Sequence, residues 1–148
     1  MRAVVQRVIK AKVIVSGEII SEIKRGIVAF IAVAPSDDEQ TIKWFANKLM
    51  NLRIFPDSQE KMNISILDIQ GELLVISNFT VYGNTKKGFR PNFMESAPQE
   101  YANNIYTRFI DYLKSIYKIK VETGIFGADM EVHLVNDGPV NIIIDSLD

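Results

Sequence analysis

The chain of 148 residues contains no cysteine, which excludes disulfides, thiolate metal ligands and a cysteine nucleophile together. Histidine occurs once. A zinc site would have to combine His133 with carboxylates, and neither HxxxH nor CxxC spacing is present, so no metal is expected. A Ser-His-Asp triad has no legible arrangement around a single histidine and scattered serines. Charge of one sign is missing too. Seventeen Lys and Arg against eighteen Asp and Glu leave a net charge of −1, so a nucleic-acid partner would need a local basic patch rather than a global field. No run approaches the roughly 18 consecutive apolar residues of a membrane helix. The opening "MRAVVQRVIKAKVIVSG" carries Arg2, Arg7, Lys10 and Lys12 where a signal peptide needs an unbroken apolar core. A cytoplasmic protein without membrane contact is the expectation.

What is present is a succession of Val- and Ile-rich runs. Arg2 to Ile9, Lys12 to Val15, Glu18 to Ile23 and Gly26 to Ala34 read as strands joined by tight turns at Gly17 and Gly26. Ser36 and Glu39 stand as a capping box before Ile42, Phe45, Ala46 and Leu49, which predicts a helix from about Asp37 to Leu52. "GELLVISNFTVYG" reads as a buried strand continuing past Ser77 into Phe79 and Val81, interrupted by polar Ser77 and Asn78. Ser96 and Gln99, with Pro98 in the first turn, open a second helix whose apolar face, Tyr101 to Leu113, must cover a sheet. The last third, Val121 to Asp145, alternates strand-like runs with Gly124, Gly127 and Gly138. No repeat, low-complexity stretch or linker interrupts residues 1–148, so the fold expected is one α+β domain. Its sheets would be curled or barrel-like and mostly antiparallel, with two helices packed on one side.

Few segments carry chemistry. His133, between Val132 and Leu134, reads as a structural or solvent-facing strand residue rather than a general base. "GIFG" at Gly124 to Gly127 matches the GxxG of KH domains only superficially, because its middle is apolar; a Gly-bounded turn is the simpler reading. "NTKKGFRPNF" sets Lys86, Lys87 and Arg90 beside Phe89 and Phe93, a mix suited to phosphate contact with base or ribose stacking. Composition alone favours a solvated loop with two core-anchoring Phe residues there. "HLVNDGPVNIII" places Asn136 to Pro139 between two apolar runs, as a hairpin turn would be, but with a proline that the reversal does not require.

Read together, "SNFTVYGNTKKGFRPNF", "ETGIFGADMEVHLVNDGPVN", "NLRIFPDSQEKMNIS" and the opening "MRAVVQRV" resemble the D-aminoacyl-tRNA deacylase family. Its members carry a Ser-Gln-Phe-Thr motif and, later, Asn-x-Gly-Pro-Val-Thr. The resemblance spans nearly the whole chain. It implies a homodimer with active sites at the subunit interface, which hydrolyses D-aminoacyl-tRNA, and glycine misloaded on alanine tRNA, without a cofactor. Gly138-Pro139 would correspond to the family's Gly–cis-Pro pair, inserted into the partner's pocket to reject L-substrates. Ser77, Asn78, Phe79 and Thr80 would line the pocket for the tRNA acceptor end and offer backbone N–H groups to the substrate carbonyl. Thr80 would orient rather than attack, since no activating base adjoins it. Phe126 and Met130 would contact the substrate, Arg7 would hold the Gly-Pro loop outward, and Lys86, Lys87 and Arg90 would meet tRNA phosphates. Two positions depart from the family: Asn78 replaces Gln, and Asn141 replaces Thr. A non-catalytic RNA- or protein-binding α+β domain explains the thin catalytic inventory equally well, but not two motifs recurring in order.

Overall fold

The computed structural model describes residues 1–147. The chain is organised around one long strand, β1 (Arg2–Val15), where two strands were expected. Val8 faces Asn136 and Lys10 faces Val135 on the last strand, so Ile9-Lys10 forms a bulge rather than a turn. A bulge bends and twists a strand and shifts its side-chain parity by one. Consequently Ala3 and Val5 join one apolar cluster while Val8, Ala11 and Val13 join another.

One edge of β1 pairs antiparallel first with β3 (Gly26–Ala32) and, beyond the bulge, with β2 (Glu18–Ile23). The turn between β1 and β2 has Ser16 at φ 51° and Gly17 at φ 80°, the two positive values that a type I′ hairpin requires. A minor hairpin, β4 (Phe55–Pro56) and β5 (Met62–Ile64), sits apart from the main sheet. β6 (Glu72–Ser77) and β7 (Val121–Thr123) extend the sheet in parallel from β3, and β8 (Glu131–Asp145) runs antiparallel along the free edge of β1. The result is a nearly closed mixed sheet.

Two helices, α1 (Glu39–Met50) and α2 (Gln99–Ile116), cover the same face. Phe45 and Phe109 are fully buried there, ring centroids 6.0 Å apart and edge to face. Such burial contributes about 1.5–3 kcal/mol per large apolar side chain. The opposite face of β3 and β6, through Val28, Leu74 and Ile76, packs against the curled half of β1 and the start of β8.

Neither capping box read from the sequence forms as expected. The N-cap of α1 is Asp38, whose carboxylate accepts from Thr41 N–H at 2.9 Å, while the Thr41 hydroxyl accepts from Asp38 N–H. The neighbouring Asp37 is drawn inward, 1% exposed, where it accepts from Ala34 N–H and the Met1 ammonium. The helix therefore starts later than Ser36 and Glu39 suggest. At α2, Pro98 is the N-cap and no side chain caps it, so Ser96 lies outside the helix. No helix among the described residues is long and apolar enough to cross a membrane.

Candidate active site

The carboxyl ends of the parallel strands β3 and β6 open on a cavity of about 650 Å³. Strand β6 stops at Ser77 instead of running on to Val81, and Asn78 is the cause. Its backbone N–H makes the last bond to β3, donating to the Ile31 carbonyl at 2.8 Å. Its side chain then accepts from Thr80 N–H at 3.2 Å and from the Thr80 hydroxyl. An Asn side chain that satisfies the backbone two residues on competes with the sheet ladder. Phe79–Tyr82 coil into a 3₁₀ turn as a result. Phe79, first in that turn, has a backbone N–H that the turn itself leaves without a partner, and it stands at the cavity.

Phe79 is 55% exposed and meets the ring of Phe93 edge to face, centroids 5.0 Å apart. A β-carbon on Gly83 would lie 2.9 Å from the Thr80 carbonyl oxygen and 3.1 Å from that Phe93 ring, so glycine lets the turn and the Phe93 ring pack closely beside the cavity. The opposite wall is the segment after β7. Gly127, at φ 76°, turns it, which agrees with the Gly-bounded turn read from "GIFG". Phe126 packs on Tyr106, ring centroids 5.8 Å apart. The Tyr106 hydroxyl donates to the Val75 carbonyl, and burial pushes its pKa well above the usual tyrosine value. Met130 follows, also lining the cavity. The start of α2 closes the space with Ala97, Gln99 and Ala102.

Of the site residues read from the sequence, Ser77, Asn78, Phe79, Phe126 and Met130 line this one cavity. Thr80 does not line it, and its hydroxyl is committed to Asn78. The one titratable side chain among the lining residues is Asp129. Phe93, Ala97 and Gln99 are lining residues that sequence reasoning did not assign to the site. Phe93 had a signal in its basic, aromatic loop; the other two had none.

Arg7, Gly138 and Pro139 lie elsewhere. The stretch around them is not a hairpin, because the residues on both sides of it pair with the same strand: Gln6 faces Asn141, and Val8 faces Asn136. The chain does not reverse; Asp137 to Pro139 are extruded from a single strand, and Val140 returns to the core. Asn136 closes the extrusion. Its Oδ1 accepts from Val140 N–H at 2.8 Å, and its Nδ2 donates to Gln6 Oε1 and to Asn141 Oδ1, each at 3.1 Å. Asn141, one of the two departures from the family motif, is thus part of the clasp.

Arg7 braces the loop from below. Its side chain, 11% exposed, donates from Nε to the Asp137 carbonyl at 2.9 Å and from a terminal nitrogen to the Ile54 carbonyl at 2.6 Å. Gly138 sits at φ 147°, which L side chains rarely adopt, and the Gly138-Pro139 peptide is cis. Both residues are exposed, and neither lines the cavity of its own chain.

Lys86, Lys87 and Arg90 are exposed on a loop pinched by the backbone pair Asn84 and Asn92. The expectation of two core-anchoring Phe residues fails for both: Phe89 is fully exposed, and Phe93, also exposed, packs on Phe79 at the cavity instead of in the core. The His133 side chain is 52% exposed, 3.3 Å from a Glu131 carboxylate oxygen, and it borders a separate cavity with Lys10, Lys12 and Glu22. Its solvent-facing reading stands.

Comparison with known proteins adds an independent line. A family model described as D-Tyr-tRNA(Tyr) deacylase matches residues 4–145. The D-aminoacyl-tRNA deacylase of Clostridium botulinum is 54% identical over 99% of this chain and 97% of its own. That of Carboxydothermus hydrogenoformans is 51% identical over 98% and 99%. Among solved structures, a c-Myc DNA unwinding element binding protein superposes with a TM-score of 0.94 at 40% identity, covering 99% of both chains. A probable eukaryotic D-amino acid tRNA deacylase superposes with a TM-score of 0.81 over 97% of each chain; at 15% identity it speaks for the fold alone.

Proposed function

The chain belongs to the D-Tyr-tRNA(Tyr) deacylase family and is a D-aminoacyl-tRNA deacylase, a hydrolase; we propose that it works as a homodimer, each cavity completed by the Gly138-Pro139 loop of the other subunit. In this reading the acceptor end of tRNA enters the cavity past Phe79 and Phe93, while Lys86, Lys87 and Arg90 meet its phosphates. The work belongs in the cytoplasm, beside translation. Glycine on alanine tRNA is a second substrate, because a wall that excludes a side chain on one side of the α-carbon cannot exclude hydrogen.

The chemistry is hydrolysis of an ester. Water adds to the acyl carbon, the carbonyl oxygen takes negative charge, and the bond to the ribose 3′-oxygen then breaks as that oxygen gains a proton. Stabilising the oxyanion is the step a protein helps most, and in this reading the Phe79 N–H, at the start of its turn beside the cavity, is the donor. Asp129 is the one titratable side chain lining the cavity, and it is not assigned as a base. The substrate's own 2′-hydroxyl then relays the proton, which also selects RNA over DNA. Thr80 orients Asn78 and the turn. It is not the nucleophile in this reading, since its hydroxyl donates to the amide oxygen of Asn78, which cannot take up a proton as an activating base would.

The observation that carries the cross-subunit part is a separation within one chain. Gly138 and Pro139 are exposed and held by Arg7 and Asn136, yet no residue from 137 to 140 lines the cavity. Closed point-group dimers bring such a knob and hollow together twice by one symmetry operation. Incubating the purified chain with D-Tyr-tRNA, L-Tyr-tRNA and Gly-tRNA(Ala) tests the activity. Loss of the D-Tyr and glycyl esters with survival of the L-ester is expected.

A binding role without chemistry is the second reading, and one observation favours it. The structural relative at 40% identity is named for binding a DNA unwinding element, and the 86–90 loop here offers exposed basic groups. Survival of all three esters would favour that reading.

A further inference from the structure

Phe89 stands at the tip of the loop from Asn84 to Phe93, wholly exposed, and Met94 just past the loop is 87% exposed. Neither serves the core. The ring is not outside through slack in the chain, because the loop is pinned at its base. Asn84 and Asn92 exchange two backbone bonds, at 2.8 and 3.0 Å, and the Asn84 side chain accepts from Lys86 N–H at 3.0 Å. Gly88, at φ 67° with open space where a β-carbon would stand, makes the bend next to Phe89. The charge of the loop is equally one-sided. From Asn84 to Phe93 the chain has Lys86, Lys87 and Arg90 and no acidic residue, within a protein of net charge −1. None of the three cations pairs with a carboxylate among the described residues. Glu95, the acid nearest in sequence, accepts from the Asn84 amide at 3.2 Å, at the base of the loop rather than its tip.

We propose that Phe89 is a stacking platform for one unpaired base of the tRNA 3′ end, upstream of the terminal nucleotide, with Lys86, Lys87 and Arg90 holding the backbone beside it. This rests on the reading of the cavity as the place where the acceptor end is received. The loop is tied to that cavity at one point, since Phe93 lines it and meets Phe79 there. Phe89 is four residues from Phe93 in sequence, so even a fully extended chain puts it no more than about 14 Å away. Nucleotides in a stacked strand advance about 3.4 Å each, which brings the tail just outside the cavity within reach of the ring. An aromatic face among cations is how proteins hold single-stranded nucleic acid without reading its sequence. In the paired stem each base face is already covered by its neighbours, so the ring acts on the unpaired tail alone. A lone exposed phenylalanine would suit a protein partner as well; three unneutralised cations around it favour a polyanion.

The test compares wild type, Phe89→Ala, Phe89→Leu and Phe89→Tyr on D-Tyr-tRNA and on the D-tyrosyl ester of adenosine, which has the terminal nucleoside and no tail. Because Phe89 touches no core, these changes leave the fold alone. Losing one base stack corresponds to roughly 5- to 150-fold. Phe89→Ala should raise KM for D-Tyr-tRNA by about that factor with kcat within about twofold, since the contact is the same in ground and transition states. Phe89→Leu, apolar but without a π-face, should fall with Phe89→Ala, and Phe89→Tyr should match wild type. All four should hydrolyse the adenosine ester alike. Abasic sites placed singly along the tail should find one position that costs wild type the same factor and costs Phe89→Ala nothing further. A wild-type KM in Phe89→Ala, or a Phe89→Leu as good as Phe89→Tyr, overturns the inference. So does an equal loss on both esters accompanied by a weaker dimer, which would assign the ring to the partner subunit. If wild type hydrolyses neither ester, the cavity is not the aminoacyl site and the inference falls with that reading.

Discussion

The cavity rim and the 137–140 loop are both interruptions of a strand next to an Asn, and they come out opposite in shape. At the rim, Asn78 turns its side chain forward to Thr80, β6 ends, and the chain coils around a hollow lined by Phe79, Phe126 and Met130. At the loop, Asn136 bonds across to Val140 and Gln6, so β8 resumes pairing with β1 while Gly138 and Pro139 are left exposed. The rim holds the exposed ring of Phe79 and, at the start of its turn, the Phe79 N–H. The loop is a braced knob with nothing to fill. A single chain does not bring the two together, and that mismatch is the physical content of the proposed dimer.

The comparison can be broken at its stiffest point. Gly138→Ala puts a β-carbon 2.7 Å from Val140 Cγ2 and 2.9 Å from Val140 N, at φ 147°. Such strain costs of order 1–3 kcal/mol. Since the loop is presented rather than buried, most of the damage should fall on function: D-Tyr-tRNA turnover down roughly a hundredfold, equal to about 2.7 kcal/mol in the barrier. Calorimetry alongside should show a melting temperature lowered by only a few degrees.

Next in size is Arg7→Lys. A lysine cannot copy the fork that reaches the Asp137 and Ile54 carbonyls at once, and one buried acceptor left bare costs about 1–3 kcal/mol. Urea denaturation should register that loss. The ratio of D- to L-ester hydrolysis should fall with it, whereas a purely structural Arg7 would leave the ratio untouched.

The rim should prove more tolerant at Thr80. Thr80→Val removes the hydroxyl that donates to Asn78 and should reduce kcat less than about tenfold, or 1.4 kcal/mol. A covalent nucleophile removed in this way would cost several orders of magnitude. Single-turnover kinetics distinguish the two outcomes. Smallest per residue are the exposed cations. Replacing Lys86, Lys87 and Arg90 by Ala should flatten the slope of log kcat/KM against log salt by about 0.7–0.9 for each phosphate no longer neutralised. An unchanged slope would place the tRNA on another surface.

The architecture was legible in the sequence because strands and helices announce themselves by periodicity: the α1 and α2 core residues and the mixture of a curled sheet with two helices were all readable. What was not legible were the ends of elements, where a local polar competitor decides. Ser36 and Glu39 had the right spacing for a cap, but the box forms two residues later, at Asp38 and Thr41, and Asp37 was claimed by the interior. Polar Ser77 and Asn78 interrupt the apolar run of "ISNFTVY", but only the Asn78 side chain reaching Thr80 N–H turns that interruption into a strand stop. "VNDGPV" looks like a reversal because turn residues encode a local shape and not the partner of the flanking strands; both flanks pairing with β1 made it an extrusion. The site followed the same division. Residues in the two motifs could be carried over by resemblance, whereas Ala97 and Gln99 reach the cavity only because the start of α2 is packed there.

The most direct test of a knob that serves another chain's hollow is complementation between two crippled variants. One would carry Gly138→Ala, disabling the loop; the other would carry Ala97→Phe, filling the cavity. Each should be nearly inactive alone on D-Tyr-tRNA. After unfolding and refolding together in equal amounts, half of the pairs are mixed and each rebuilds one of its two sites, so roughly a quarter of the wild-type rate should return if the protein is a twofold dimer. A mixture no more active than its separate components would contradict the account.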